Sequence, residues 1–292
     1  MELEQLDRNT ENWQGGWQGS LQLEFALVDD RTQLIHNQSK APLRVQKSFY
    51  PEGTAVCHTA ILHTAGGIVG GDRLSTQIDL QSQTHVLITT ATAAKIYRSK
   101  ALEANQTIQI QLDRGACLEW LPQETIVFDG ANYRQNLQIE LADHACWMGW
   151  EVTRFGRSAS GERFLSGNWR SHTEVWQHGK PLWLDRQSLK GGSDLINSPH
   201  GLAGYAVVGS FALVGRDVSD ELIDRVRQLW REKCEAGEYL GEAGVTTLMS
   251  GVLCRYRGNS SLEARQWFMD VWHLLRLFYI NRPACIPRIW QM

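Results

Sequence analysis

A chain of 292 residues with 29 Lys and Arg against 32 Asp and Glu carries a formal charge of only -3 and has no basic run, which sets nucleic acid aside as a partner. No apolar stretch approaches the roughly 20 residues that span a bilayer, and the opening MELEQLDRNTENW is acidic and polar, so a cytoplasmic protein is expected. The six cysteines (Cys57, Cys117, Cys146, Cys234, Cys254, Cys285) are scattered with no C-x-x-C, which excludes a disulfide framework or a zinc knuckle and fits a reducing compartment.

From residue 20 to about 215 the apolar residues recur at every second position, the period of half-buried strands. LQLEFALV places Leu21, Leu23, Phe25 and Leu27 on one face. In CHTAILH an extended backbone puts Cys57 and His63 on one side and His58 on the other, too few convergent ligands for a metal site. HTAGGIVGGDRL follows, with Gly66, Gly67, Gly70 and Gly71 ahead of Asp72. It fits no phosphate-loop spacing: Ile68 breaks G-x-G-x-x-G, and Gly71 is followed by Asp72 where a P-loop needs Lys. LSTQIDL then alternates Leu74, Thr76, Ile78 and Leu80 against Ser75, Gln77 and Asp79, so the glycines are expected to join two strands.

TIQIQL (Ile108, Ile110, Leu112) and LQIEL (Leu137, Ile139, Leu141) repeat the pattern, with turn residues at Asp113 to Gly115, Asp129-Gly130 and His178-Gly179. GRSAS, from Gly156 to Ser160, ends in Ser where a G-x-S-x-G nucleophile elbow needs Gly, and no H-E-x-x-H occurs. Many short strands and no helix-strand alternation predict a mainly β fold, a sandwich, a barrel or a stacked solenoid. No compositional break divides the chain, so one domain is expected. Two helices close it, at about 219–235 behind the cap Ser219 and about 261–280 behind the capping-box pair Ser260 and Glu263, the second ended by Pro283. That second helix is apolar over much of its circumference and must be covered, by its own fold or by a partner. Twelve tryptophans suit either.

Three carboxylates lie in tryptophan-rich, strand-like surroundings: Glu119 in CLEWLPQE, Glu151 in WMGWEVTRF and Asp185 in PLWLDRQ. Buried charge must be paired, hydrated or protonated. Arg154, Arg157 and Arg186 stand near in sequence, so structural ion pairs are one reading. A carboxylate pair beside tryptophan in a carbohydrate-active enzyme is a second. A wet passage for a hydrated divalent cation is a third.

HTAGGIVGGDRL, TTATAAKIYRS (Thr89 to Ser99), LEWLPQETIVFDGA (Leu118 to Ala131) and the closing PRIW (Pro287 to Trp290) resemble, in this order, the UreD (UreH) family of urease accessory proteins. The similarity runs from FYPEG near residue 50 to the C-terminus. LEWLPQE followed by FDGA carries it; the glycine run alone would be weak. The resemblance implies stacked, solenoid-like strands with a pair of helices and a role that is not enzymatic. It implies binding to apo-urease and, together with UreF, recruitment of the GTPase UreG that brings nickel, with no tightly bound cofactor. Motif by motif it assigns Asp72, Glu151 and Asp185 to a transient nickel passage, with Glu151 standing where relatives can carry Asp. The apolar second helix, through Trp267, Phe268, Trp272, Leu275 and Phe278, becomes the expected UreF contact. An adaptor that only holds its partners together would show no dependence on the three carboxylates.

Overall fold

A computed structural model describes residues 15–157 and 160–291; the acidic opening and the middle of GRSAS lie outside the described residues. The strands are β1 (Gln18–Val28), β2 (Arg31–Lys40), β3 (Leu43–Val45), β4 (Val56–His63), β5 (Arg73–Leu80), β6 (His85–Thr90), β7 (Ala94–Ile96), β8 (Ala104–Leu112) and β9 (Cys117–Leu121). They continue through β10 (Thr125–Val127), β11 (Asn132–Leu141), β12 (Cys146–Phe155), β13 (Asn168–Gln177), β14 (Lys180–Lys190) and β15 (Val207–Val214). After the helix α1 (Asp220–Glu235) come β16 (Glu242–Leu248), β17 (Gly251–Gly258) and the helix α2 (Ser261–Tyr279).

The first sheet runs β14-β13-β11-β8-β5-β1-β2 and the second β16-β17-β15-β12-β9-β6-β4-β3. From β4 to β13 the long strands alternate between the two sheets and pair in parallel with the strand one coil earlier, β5 with β8, β8 with β11, β11 with β13, and β4 with β6, β6 with β9, β9 with β12. This is the stacked solenoid, and the period-2 pattern explains it. Leu23, Ile78, Ile110, Ile139 and Val175 sit in one register row, all buried between the sheets, while the residues beside them face water. A one-residue slip would expose the whole row. Of the predicted turns only His178-Gly179, with both φ values positive, closes a hairpin (β13 to β14). The others carry the chain from one sheet to the other.

The second sheet is apolar on both faces. Trp147 and Phe155 of β12 join the core between the sheets, whereas Met148, Trp150 and Val152 face the two helices. Ser219 caps α1 by accepting from the Leu222 N–H, and Ser260 caps α2 by accepting from the Glu263 N–H. The Glu263 carboxylate does not complete a capping box. It accepts from the Leu240 and Gly241 N–H groups (3.0 and 2.9 Å), tying the start of α2 to the loop before β16.

This packing places most of the expected partner face of α2 inside the fold. Trp267, Phe268, Trp272 and Leu275 are fully buried against the second sheet and α1, because that sheet has an uncovered apolar face that only these helices can close. Of the five residues only Phe278, 54% exposed, reaches the surface.

Candidate functional site

HTAGGIVGGDRL is the link from β4 in the second sheet to β5 in the first. Ile68 bridges Ile96 of β7, its N–H donating to the Lys95 carbonyl (2.8 Å). Such close approach explains two of the glycines. A Cβ on Gly67 would lie 2.6 Å from the Lys95 carbonyl oxygen, and one on Gly70 would lie 1.9 Å from Ser99 Oγ. Asp72, wholly buried, accepts from the Trp17 N–H (2.8 Å) on one oxygen and the Val69 N–H (2.9 Å) on the other. Its carboxylate is the staple of the loop, and it does not line the cavity that Glu151 lines.

That cavity, about 510 Å³, lies between the sheets, with Gly66, Thr92 and Lys95 at its exposed end and Gln135, Ser171 and Glu151 deeper in. Glu151 sits on β12 at an inward position, in phase with Trp147 and Phe155, so its carboxylate crosses from the second sheet to the first. There Gln135 Nε2 donates to one oxygen and Ser171 Oγ (2.9 Å) to the other. The Tyr133 hydroxyl, donating to Gln106 and Gln135, extends the polar line. Burial, reinforced by the Asp185 charge, pushes the Glu151 carboxyl up to about 7 against the opposing pull of Ser171, Arg255 and Gln135. Burial and the Glu151 charge also push the Tyr133 hydroxyl well above its ordinary range.

Asp185 of β14 lies beyond Glu151, outside the cavity lining. It accepts from Arg255 (2.7 Å) and Gln187 (2.8 Å), and both donors also hold Ser210 (2.6 and 3.2 Å). The sequence therefore names two carboxylates that the fold brings together, Glu151 and Asp185, and one, Asp72, that it keeps apart. Neither Arg154 nor Arg186 pairs with them: Arg154 donates to the Asn259 carbonyl and Arg186 to Glu174. The partners that matter, Gln135, Ser171 and Arg255, are missed by proximity in sequence. Their signal is phase. Gln135 and Ser171 occupy inward positions, between Tyr133 and Leu137 and between Trp169 and Thr173, and face each other in the β11–β13 register.

Glu119 belongs to a separate buried cluster. On β9 it faces the helices, where His85 Nε2 (2.5 Å) and the Trp272 indole N–H bond it and Arg276 stands 3.7 Å away. The predicted sides of CHTAILH hold, with Cys57 and His63 facing between the sheets and His58 turned outward to Glu52 (2.7 Å).

A family model described as UreD urease accessory protein matches residues 18–291. The chain belongs to the UreD family. Among similar UreD proteins, that of Nostoc punctiforme is 60% identical over 277 residues, covering 95% of this chain and 97% of the relative. That of Acaryochloris marina is 52% identical over 290 residues (99% and 100%), and that of Synechocystis sp. 40% over 267 (91% and 97%). Each is described as a urease accessory protein. UreD is a family of accessory proteins, not of enzymes, and the carbohydrate-active alternative is set aside. No helix among the described residues of this UreD chain is long and apolar enough to cross a membrane.

Proposed function

We propose that this chain acts in the cytoplasm as a urease maturation scaffold that also passes nickel, its cargo, toward apo-urease, in concert with UreF and UreG. The observation that carries the reading is Glu151: a cavity-lining carboxylate that accepts from the Gln135 amide N–H and the Ser171 hydroxyl, is backed by Asp185, and has its carboxyl raised to about 7. Oxygen ligands suit an ion that must move on, since they replace water without the strong bonds of thiolate or imidazole. A carboxyl titrating near 7 gives up a proton as a divalent cation arrives and recovers it as the cation leaves, so the buried charge rises by one unit where it would otherwise rise by two. Asp72 has no part in this route, because both of its oxygens are committed to backbone N–H groups. The UreF contact falls to the exposed end of α2, Leu277 and Phe278, in place of the buried face.

The test is co-expression with a urease operon. The double variant Glu151→Ala and Asp185→Ala is expected to lower nickel per captured urease while UreF and urease still co-purify. Unchanged nickel content in a complex that assembles normally overturns the passage; an inert adaptor predicts that outcome.

A further inference from the structure

At the seam between the C-terminal tail and the second sheet, Glu52, His58 and Cys285 bring an oxygen, a nitrogen and a sulfur donor within 4.8 Å of one another. They come from three places: the turn before β4, β4 itself, and the tail that follows α2. We propose that this trio is a binding site for a first-row transition ion of borderline softness, Zn²⁺ being the reference case, which fastens the tail to the solenoid. The site is separate from the Glu151 cavity and does not rest on the nickel-passage reading.

The donor set points to the ion class. Ligand atoms around a tetrahedral ion of this kind are separated by roughly 3.5 Å. His58 Nε2 and Glu52 Oε1 are hydrogen-bonded at 2.7 Å, so an ion takes the place of that bond, parting the two slightly, with Cys285 within 4.8 Å of both. A thiolate with an imidazole selects Zn²⁺, Co²⁺ or Ni²⁺ over Mg²⁺ and Ca²⁺, which demand oxygen. Three protein ligands leave a fourth position for water; of the three, His58 also lines a cavity of about 270 Å³, as does Pro287 of the tail.

The surroundings orient the ligands. Arg276, wholly buried, donates through both terminal nitrogens to Glu52, and Arg282 donates to the Glu52 carbonyl (2.9 Å). These fix the carboxylate as outer-shell partners fix metal ligands. Their positive charge opposes a cation, which makes the thiolate the decisive ligand and rejects ions without affinity for sulfur. In the free protein burial, with the Glu52 and Glu119 charges, pushes the Cys285 thiol up against the pull of Arg276, so the ion displaces a proton as it binds.

The experiment titrates the full chain, reduced and metal-free, with Co²⁺ and then Zn²⁺. A saturable thiolate-to-cobalt absorption band that Zn²⁺ removes, and that Mg²⁺ does not, is expected. Cys285→Ser, isosteric and only partly buried, is expected to abolish the band with the melting curve of the metal-free chain unchanged; His58→Gln should weaken Co²⁺ binding by about tenfold or more. Absence of the band, or a band of equal strength in Cys285→Ser drawn from another cysteine, overturns the site.

Discussion

The indole N–H of Trp272, on α2, donates a hydrogen bond to the carboxylate of Glu119, 153 residues earlier on β9. The pair lies where helix and sheet meet and is fully buried on both sides. Burial would raise the Glu119 carboxyl, yet His85, Arg276 and Trp272 together hold it below its ordinary range. Its charge is therefore present in the fold and rests on the hydrogen bonds to His85 and Trp272 and on the nearby charge of Arg276. Trp272→Phe keeps an aromatic ring but removes the donor, and is expected to cost about 2 kcal/mol, the worth of a hydrogen bond to a buried charge. Phe278→Ala, on the exposed end of the same helix, is expected to change stability by less than about 0.5 kcal/mol. Urea unfolding of both variants checks the division of α2 into core and surface, and equal losses would refute it.

Two buried glutamates should leave opposite marks on the pH dependence of stability. Burial acts to raise the Glu52 carboxyl, but hydrogen bonds and charge from His58 and Arg276 bring it down to about 2. Its folded value is below the unfolded one of about 4.3, so it stabilises above that pH and the contribution is lost as pH falls toward 2. Glu151 is raised to about 7, above its unfolded value. Its ionised form burdens the fold, and stability from this group falls as pH rises from about 4.3 through 7. Glu151→Gln is thus expected to match the native chain near pH 5 and to exceed it above pH 7, by up to about 3 kcal/mol. Glu52→Gln is expected to be weaker by about 3 kcal/mol at pH 7, since Arg276 loses its partner, with the gap closing in acid. Chemical unfolding from about pH 2 to 8 measures both curves, and parallel curves would contradict the assignment.

The four loop glycines are not equivalent. A Cβ on Gly66 meets nothing within 4 Å, whereas one on Gly70 meets Ser99 Oγ at 1.9 Å and the Leu102 carbonyl oxygen at 2.5 Å. Gly66→Ala is expected to be neutral within about 0.5 kcal/mol, and Gly70→Ala to cost about 2 kcal/mol or more as the loop shifts away from the residues after β7. Thermal melting of the two variants separates close approach from mere flexibility, which would make them alike.

What the sequence made legible follows from what its periods encode. Alternation in LSTQIDL, TIQIQL and LQIEL states which side chains face inward, and the row Ile78, Ile110, Ile139 shows that each was right. Alternation carries no information on which strand is the neighbour, so sandwich and solenoid stayed equal until pairing was known. The solenoid entered by resemblance. The same limit hid half of the site. Glu151 and Asp185 stood out as charges among tryptophans, but Arg255, which neutralises Asp185, lies far away along the chain and meets it only because β17 and β14 stack at the same end of the two sheets. The role of Asp72 in its own loop was hidden for a related reason. A carboxylate after a glycine run is as suited to holding the run's own N–H groups as to meeting an ion, and spacing does not distinguish the two.

Asp72 and Asp185 consequently separate the staple from the passage. Asp72→Ala strips acceptors from the Trp17 and Val69 N–H groups, and two unsatisfied donors are expected to cost about 2–5 kcal/mol. Asp72→Asn keeps one acceptor oxygen and should recover part of that. If Asp72 serves only the loop, folded Asp72→Asn protein loads urease with nickel at the native level. Asp185→Asn should do the reverse. Its amide oxygen still accepts from Arg255, so the fold is kept within about 1–2 kcal/mol, but the charge behind Glu151 is gone and nickel loading is expected to fall. Unfolding curves and urease metal content, measured on the same two variants, decide it: a loading defect in stable Asp72→Asn would return Asp72 to the route, and normal loading in Asp185→Asn would remove Asp185 from it.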